Sequence, residues 1–380
     1  MDSKQRVTIN SQFDGGNIEV ADLSDAEDIQ LNVRTDRQSK DCQWFYFRIA
    51  GAGNLHSRIR ILNAGQCNYP AGWEQYQAVC SDDLQNWYRV PTTYDGTELV
   101  LSLQPATDCC HIAYFAPYSL HRHYERISAA CRSDRCRLES STKTVLGRDL
   151  EILRIGEPGP NRRVCWMVAR QHPGETMAEW WIEGVVDRLL DPNDAVARSL
   201  LSNMVFYVVP NMNPDGSFQG NLRTNAAGVN LNRVWDRPDI HTSPEVYWVK
   251  KTMEATGVDI CFDVHGDEAL PYNFIASSEG IADWNDSRQQ LLDSFKSTLE
   301  AVNPDFQTRY GYPVAPRGKA NLSFCTNCTA AEFGSLSMTH EMPFKDTKGT
   351  PDDIFGWSPA RSKLLGASNL DVVHAHMNKL

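Results

Sequence analysis

The sequence predicts a small all-β antiparallel sandwich domain, residues 1–122, followed by an α/β domain, residues 123–380, with a mixed sheet and flanking helices. Three observations predict it. Up to about residue 120, short alternating or apolar runs are separated by turn residues, and no helix-length periodic stretch interrupts them. From YSLHRHYERISAACRS onward, apolar strands alternate with longer amphipathic segments. At 380 residues, the chain is also near the upper size of a single core.

In the first part the strand candidates are VTINSQF, QLNVRT, QWFYFRIAG, HSRIRILNA, YQAVCS, NWYRVP, TELVLSL and HIAYFAPY. FDGG at 13–16 and YDGT at 94–97 supply turn chemistry between such runs. In the second part EILRIG, RVCWMVARQH, SNMVFYVVPNMNPDG, DICFDVHG and AEFGSLSMTHEMPF read as strands. Helices are expected over 176–191, 244–256, 285–302 and 359–377, with Thr176 as the N-cap of the first.

A formal net charge of −11 argues against nucleic acid or an anionic membrane as the main partner. The opening MDSKQRVTIN is polar and no apolar run is long enough to span a bilayer, so a cytoplasmic protein is expected. Eleven cysteines without a signal peptide make reduced thiols the default. The CxxC of Cys325 and Cys328 has no second half at structural-zinc spacing, and Cys131, Cys136, Cys109 and Cys110 also lack partners, so all read as buried or free thiols.

Polar residues concentrate where apolar strands end. His172 with Glu175, Asn211 through Asp215, His265 with Asp267, and Glu341 each lie at or past such an end, where open α/β sheets bind ligands. Pro173 and Gly174 put His172 and Glu175 on a tight turn. A catalytic zinc ion takes three protein ligands and keeps one open position; His172, Glu175 and His265 fit that requirement, with Gly266 leaving room for close approach. Glu341 suits the general base, since His340 would alternate to the opposite face of a regular strand. In GNLRTNAAGVNLNR, residues 220–233, Arg223 and Arg233 could grip a carboxylate or stabilise an oxyanion, with Asn232 as a neutral donor beside them.

These residues carry a family resemblance. ARQHPGETMAEWWIEG, PNMNPDGSFQGNLRTN, GVNLNRVW, DVHGDE and the spacing of Ser337, Thr339 and Glu341 resemble the zinc carboxypeptidases. SQFDGGNIE, QWFYFRI and YFAPYSLH extend the resemblance to their cytosolic carboxypeptidase branch, in a compact bacterial-type form. The resemblance implies a zinc carboxypeptidase-like fold for the second domain and one Zn2+ per chain, held by His172, Glu175 and His265. It further implies Glu341 as general base and acid, Arg223 at the oxyanion, and Asn232 with Arg233 on the substrate's terminal carboxylate. The substrate would be a peptide or protein C-terminus, with an acidic last residue as the natural expectation and Arg317 and Lys319 as candidates for a basic wall.

Two departures stand out. Asn230 replaces an acid found in many relatives, with expected consequences for Arg233, and the tyrosine that closes over substrate has only Tyr310 and Tyr312 as candidates. Two other readings remain: a zinc deacylase of small N-acyl amino acids, and a binding module with a vestigial metal site. Oligomeric state is not legible.

Overall fold

Ten short strands build the first part of the chain. They are β1 (Thr8–Asn10), β2 (Glu19–Asp22), β3 (Ile29–Asn32), β4 (Tyr46–Ala50), β5 (Ser57–Ile61), β6 (Val79–Ser81), β7 (Tyr88–Arg89), β8 (Thr92–Tyr94), β9 (Leu99–Leu103) and β10 (Cys109–Ala113). In the computed structural model, which describes residues 7–380, they form two five-stranded sheets, β1-β4-β10-β6-β7 and β2-β3-β5-β9-β8. Alternating buried positions such as Ile29 and Leu31, Ile59 and Ile61, and Leu99 and Leu101 face the aromatic core around Phe45, Phe47 and Tyr114. The pairing is antiparallel, as the sequence predicts, with one exception: β3 runs parallel to β5. At YDGT, Asp95 Oδ1 accepts from the backbone of Thr97 and Glu98, and Gly96 takes φ +97°, closing β8 onto β9.

After α1 (Leu120–Ala130) comes a mixed seven-stranded sheet in the order β11-β12-β14-β13-β15-β17-β16. Its strands are β11 (Cys136–Lys143), β12 (Asp149–Ile155), β13 (Arg163–Ala169), β14 (Met204–Val209), β15 (Ile260–Asp267), β16 (Phe274–Ser277) and β17 (Leu336–Pro343). β14, β13, β15 and β17 are mutually parallel, and their apolar runs are buried throughout, as a sheet covered on both faces requires. The helices are α2 (Met177–Leu190), α3 (Ala195–Asn203), α4 (Pro214–Gln219), α5 (Pro244–Thr256), α6 (Asp286–Val302), α7 (Cys325–Phe333) and α8 (Pro359–His376).

The four helices expected from periodicity are α2, α5, α6 and α8. The run AEFGSLSMTHEMPF divides, its first three residues closing α7 and the rest forming β17. Helices α2 and α8 cross with backbones nearly touching: a Cβ on Gly184 would sit 2.0 Å from Lys363 O, and one on Gly366 2.1 Å from Trp181 O. All eleven cysteines are free thiols, and no helix among the described residues is long and apolar enough to cross a membrane.

Chain order and sheet order together place the site. From β13 the chain crosses to β14 on one side and then to β15 on the other, so direction reverses between β13 and β15. β17 adds next to β15, in register, with Glu341 opposite His265. The carboxyl ends of β13, β15 and β17 are therefore neighbours.

The two β-sheets are tied to the rest of the chain by buried polar contacts. Arg89 Nη1 donates to Gln77 O, while its Nε and Nη2 reach Phe355 O and Trp357 O across the junction. Removing this guanidinium strands carbonyls that only it satisfies. Arg89→Met should lower the urea unfolding midpoint by the equivalent of about 3 kcal/mol; a loss below about 1 kcal/mol would mean that water replaces the side chain.

Candidate metal centre and catalytic cleft

The turn after β13 is held from several sides. Arg170 adopts φ +57°, a left-handed conformation costing a non-glycine residue about 1–3 kcal/mol. Its buried guanidinium offsets that strain by donating to Pro173 O, Tyr118 O and Glu179 Oε2. Gly174 N donates to Leu222 O, pinning the turn to the Arg223 loop. Thr176 occupies the N-cap position of α2 but does not cap it with its side chain as the sequence predicts; its hydroxyl donates to Ala116 O instead.

His172, Glu175 and His265 lie together, all buried, with one ligand atom of each within 4.8 Å of the others. Glu175 bridges the imidazoles: Oε1 lies 2.7 Å from His172 Nδ1 and Oε2 lies 2.7 Å from His265 Nδ1. Gly266 N also donates to Glu175 Oε2. The far ring nitrogens have acceptors, His172 Nε2 at Asn230 Oδ1 (3.0 Å) and His265 Nε2 at Asp263 Oδ1 (2.9 Å). With the far nitrogens so engaged, both rings present Nδ1 to the Glu175 carboxylate, on the side where a shared cation would be held. Burial alone would raise the Glu175 carboxyl, but the two imidazoles hold it well below the usual range. Burial takes His172 down to about 4, whereas Asp263 and Glu175 override burial and raise His265. Two imidazoles, each backed by an outer acceptor, and a carboxylate fit a zinc ion of the catalytic type.

Glu341 faces this set from β17. It is buried, its Oε2 has no partner among the described residues, and burial raises its carboxyl well above the ordinary value. His340 points the opposite way, against the Trp181 and Phe306 rings, as strand alternation requires.

Arg223 and Arg233 both line the cleft of about 760 Å3 that opens over the set, and neither has a carboxylate partner among the described residues. Arg223 lies over the Tyr69 ring, and Arg233 lies 4.0 Å from the Phe324 ring centroid with Nη1 on Asn232 O. Asp36, from the β-sheet region, holds the Arg223 loop by accepting from the backbone of Leu222, Arg223 and Thr224 and from the Thr224 hydroxyl.

Several expectations need correcting. Asn211 through Asp215 do not reach the cleft, because β14 lies on the far side of β13. Asn211 donates to Glu179, Asn213 caps α4, and Asp215 pairs with Arg148. On its Cβ side Gly266 meets Met177, whose sulfur would lie 2.5 Å from a Cβ, so the glycine also admits helix packing, while its backbone lines the cleft. Asn232 is not a free donor: its Oδ1 accepts from Cys325 N and its Nδ2 faces Asp263 and His265. Asn230 bears on His172 as well as on Arg233: its Oδ1 faces His172 Nε2, and its carbonyl accepts from Arg233 N at the turn it caps. Of the basic-wall candidates, Lys319 lines the cleft, joined by Lys296 and Arg309, while Arg317 donates to Ala282 O away from it. Tyr310 and Tyr312 both line the cleft; Tyr312 donates to Asp267, and Tyr310 stacks on Tyr272.

Sequence reading missed Asp263, Arg170 and Asp36. Asp263 was open to detection, since an aspartate two residues before His265 in an apolar strand shares its face. Asp36 had no such signal.

Comparison with known proteins matches residues 9–115 to the cytosolic carboxypeptidase N-terminal domain and residues 122–305 to the zinc carboxypeptidase family. The second match ends before Glu341. A metallo-carboxypeptidase from Pseudomonas aeruginosa, solved in complex with (2-guanidinoethylmercapto)succinic acid, is 41% identical, with a TM-score of 0.96 over 98% of this chain and 99% of that one. A metallo-carboxypeptidase from Burkholderia cenocepacia is also 41% identical, with a TM-score of 0.95 over 98% and 99% of the two chains. Zebrafish cytosolic carboxypeptidase 1 is 26% identical over 70% of this chain, which spans only 27% of that protein's length.

Behind the ligand turn, buried His123 joins Glu179 (2.6 Å) to Glu151 (3.2 Å). Burial alone would lower its pKa, but the two glutamates raise it from 6.5 to about 9. The charged imidazole thus contributes stability that is fully present below about 6.5 and is lost as pH rises through about 9, by about 3 kcal/mol in all. Unfolding midpoints measured across that window should fall with pH in the native chain and change less in His123→Gln; equal slopes would remove His123 as the cause.

Proposed function

The chain belongs to the zinc carboxypeptidase family and carries the N-terminal domain of its cytosolic branch, and from that premise we propose that this metallocarboxypeptidase removes acidic residues from peptide or protein C-termini. The observation that carries the reading is the unpaired guanidinium of Arg233 in the same cleft as the His172, Glu175 and His265 set and Glu341. An exopeptidase must hold a terminal carboxylate, and Arg233's planar fork suits that anion. Asn232, spent on Asp263 and Cys325, braces the strand end beside it.

In this reading His172, Glu175 and His265 hold one zinc ion per chain. Bound there, the metal supplies Lewis acidity toward the scissile carbonyl and makes water a stronger nucleophile. Glu341 takes the proton from the attacking water and returns it to the leaving amine nitrogen. Arg223 places its guanidinium where the carbonyl oxygen gains charge, and the Asp36 contacts fix the loop that aims it. Lys296, Arg309 and Lys319 support the preference for an acidic last residue, because all three line the cleft without a carboxylate partner among the described residues; Asp267, Glu268 and Glu279 are opposing charges on the same lining.

A cleft of about 760 Å3, lined by Tyr69 of the β-sheet region as well as by the α/β region, favours a peptide over a single N-acyl amino acid. The cytosolic relatives support a cytoplasmic enzyme.

Blocked peptides ending in Glu, Leu or Lys, and a Glu-ending peptide with a C-terminal amide, test the reading by mass-spectrometric detection of the released residue. Glu should be released at least about tenfold faster than Leu, a ratio that one charge-assisted contact supplies, and the amide should be inert. Glu341→Gln should keep its zinc and lose about 10²–10⁴ in kcat. Faster hydrolysis of N-acyl glutamate than of any peptide would instead support the deacylase.

A further inference from the structure

One buried carboxylate in the cleft has no part in the chemistry above. Glu268 lies three residues beyond His265, only 6% exposed, and its Oε1 has no hydrogen-bond partner among the described residues. Its neighbour Asp267 is fully engaged, accepting from Ala269 N, Leu270 N and the Tyr312 hydroxyl. Glu268 cannot readily swing aside, because Gly72 of the β-sheet region packs against it; even a Cβ on that glycine would lie 3.0 Å from Glu268 Cβ. A carboxylate buried and left unpaired in a protein interior is costly, and such groups are characteristic of sites that receive a ligand.

Its position along the cleft identifies the ligand. With the terminal carboxylate on Arg233 and the scissile bond at the metal set, the residue preceding that bond must extend toward Arg223 and the wall formed by Tyr69. Glu268 lies on that side: Gly72, which packs against it, belongs to the short helical turn that begins at Tyr69, Arg223 lies over the Tyr69 ring, and all but Gly72 line the cleft.

We propose that Glu268 is a specificity-determining residue for the penultimate side chain of the substrate, accepting from a lysine or arginine there and disfavouring aspartate or glutamate. This rests on the assignment of the terminal carboxylate to Arg233. The substrate class narrows to C-termini with a basic residue before an acidic one, and runs of glutamate become poor substrates beyond the point where two acids stand together.

The test uses N-blocked tripeptides ending in Glu with Lys, Ala or Glu in the penultimate position. In the unsubstituted enzyme kcat/KM should be at least tenfold higher for Lys than for Glu, with Ala between, and in Glu268→Gln the Lys-to-Glu ratio should fall below threefold. Calorimetric binding of the same peptides to Glu341→Gln should give the same order without turnover, whether or not Glu268→Gln folds. Equal binding and turnover across the three peptides, or an unchanged ratio in Glu268→Gln, overturns the proposal. Ordered binding with no hydrolysis of any peptide by the unsubstituted enzyme supports the Glu268 subsite while overturning the carboxypeptidase reading.

Discussion

The Glu175 carboxylate, with one oxygen on each of two imidazoles, is the contact around which the cleft is organised. It joins the turn after β13 to the end of β15, at a buried place where an unmatched charge would be untenable. Each imidazole is in turn held from behind, by Asn230 from the β14–β15 loop and by Asp263 from β15 itself. The backing is unequal. A carboxylate behind His265 and a neutral amide behind His172 give the two rings different basicity, and this asymmetry is specific to a chain with asparagine at position 230.

That contact depends on a strained and heavily braced turn. Arg170 accepts a left-handed backbone because its guanidinium is fixed by Pro173, Tyr118 and Glu179, and Glu179 is fixed by His123 and Asn211. The braces come from β14, α1, α2 and the segment preceding α1, so the turn's geometry is set by the packing of the whole sheet.

The β-sheets ahead of the α/β region take part in the cleft. They supply Asp36 to hold the Arg223 loop, Tyr69 as a wall over which that guanidinium lies, and Gly72 against Glu268. Arg89, reaching the carbonyls before α8, keeps these sheets from lifting away. One side of the cleft is therefore built from a segment far removed in sequence from His172, Glu175, His265 and Glu341.

Local sequence determined the α/β class, the four long helices, the strand–turn–helix carrying His172 and Glu175, and the choice of Glu341 over His340, because periodicity and turn chemistry act between near neighbours. Asp263 lay within its reach through the same two-residue alternation. Only the tertiary structure decided that Asn211 through Asp215 face away from the cleft, since that follows from β14 lying beyond β13, an ordering with no local signature. It alone turned Asn232 inward, directed Asn230 to His172 and brought Asp36 to the Arg223 loop. Hydrogen bonds between distant segments are set by how sheets and helices pack, and no short stretch of residues specifies its remote partner.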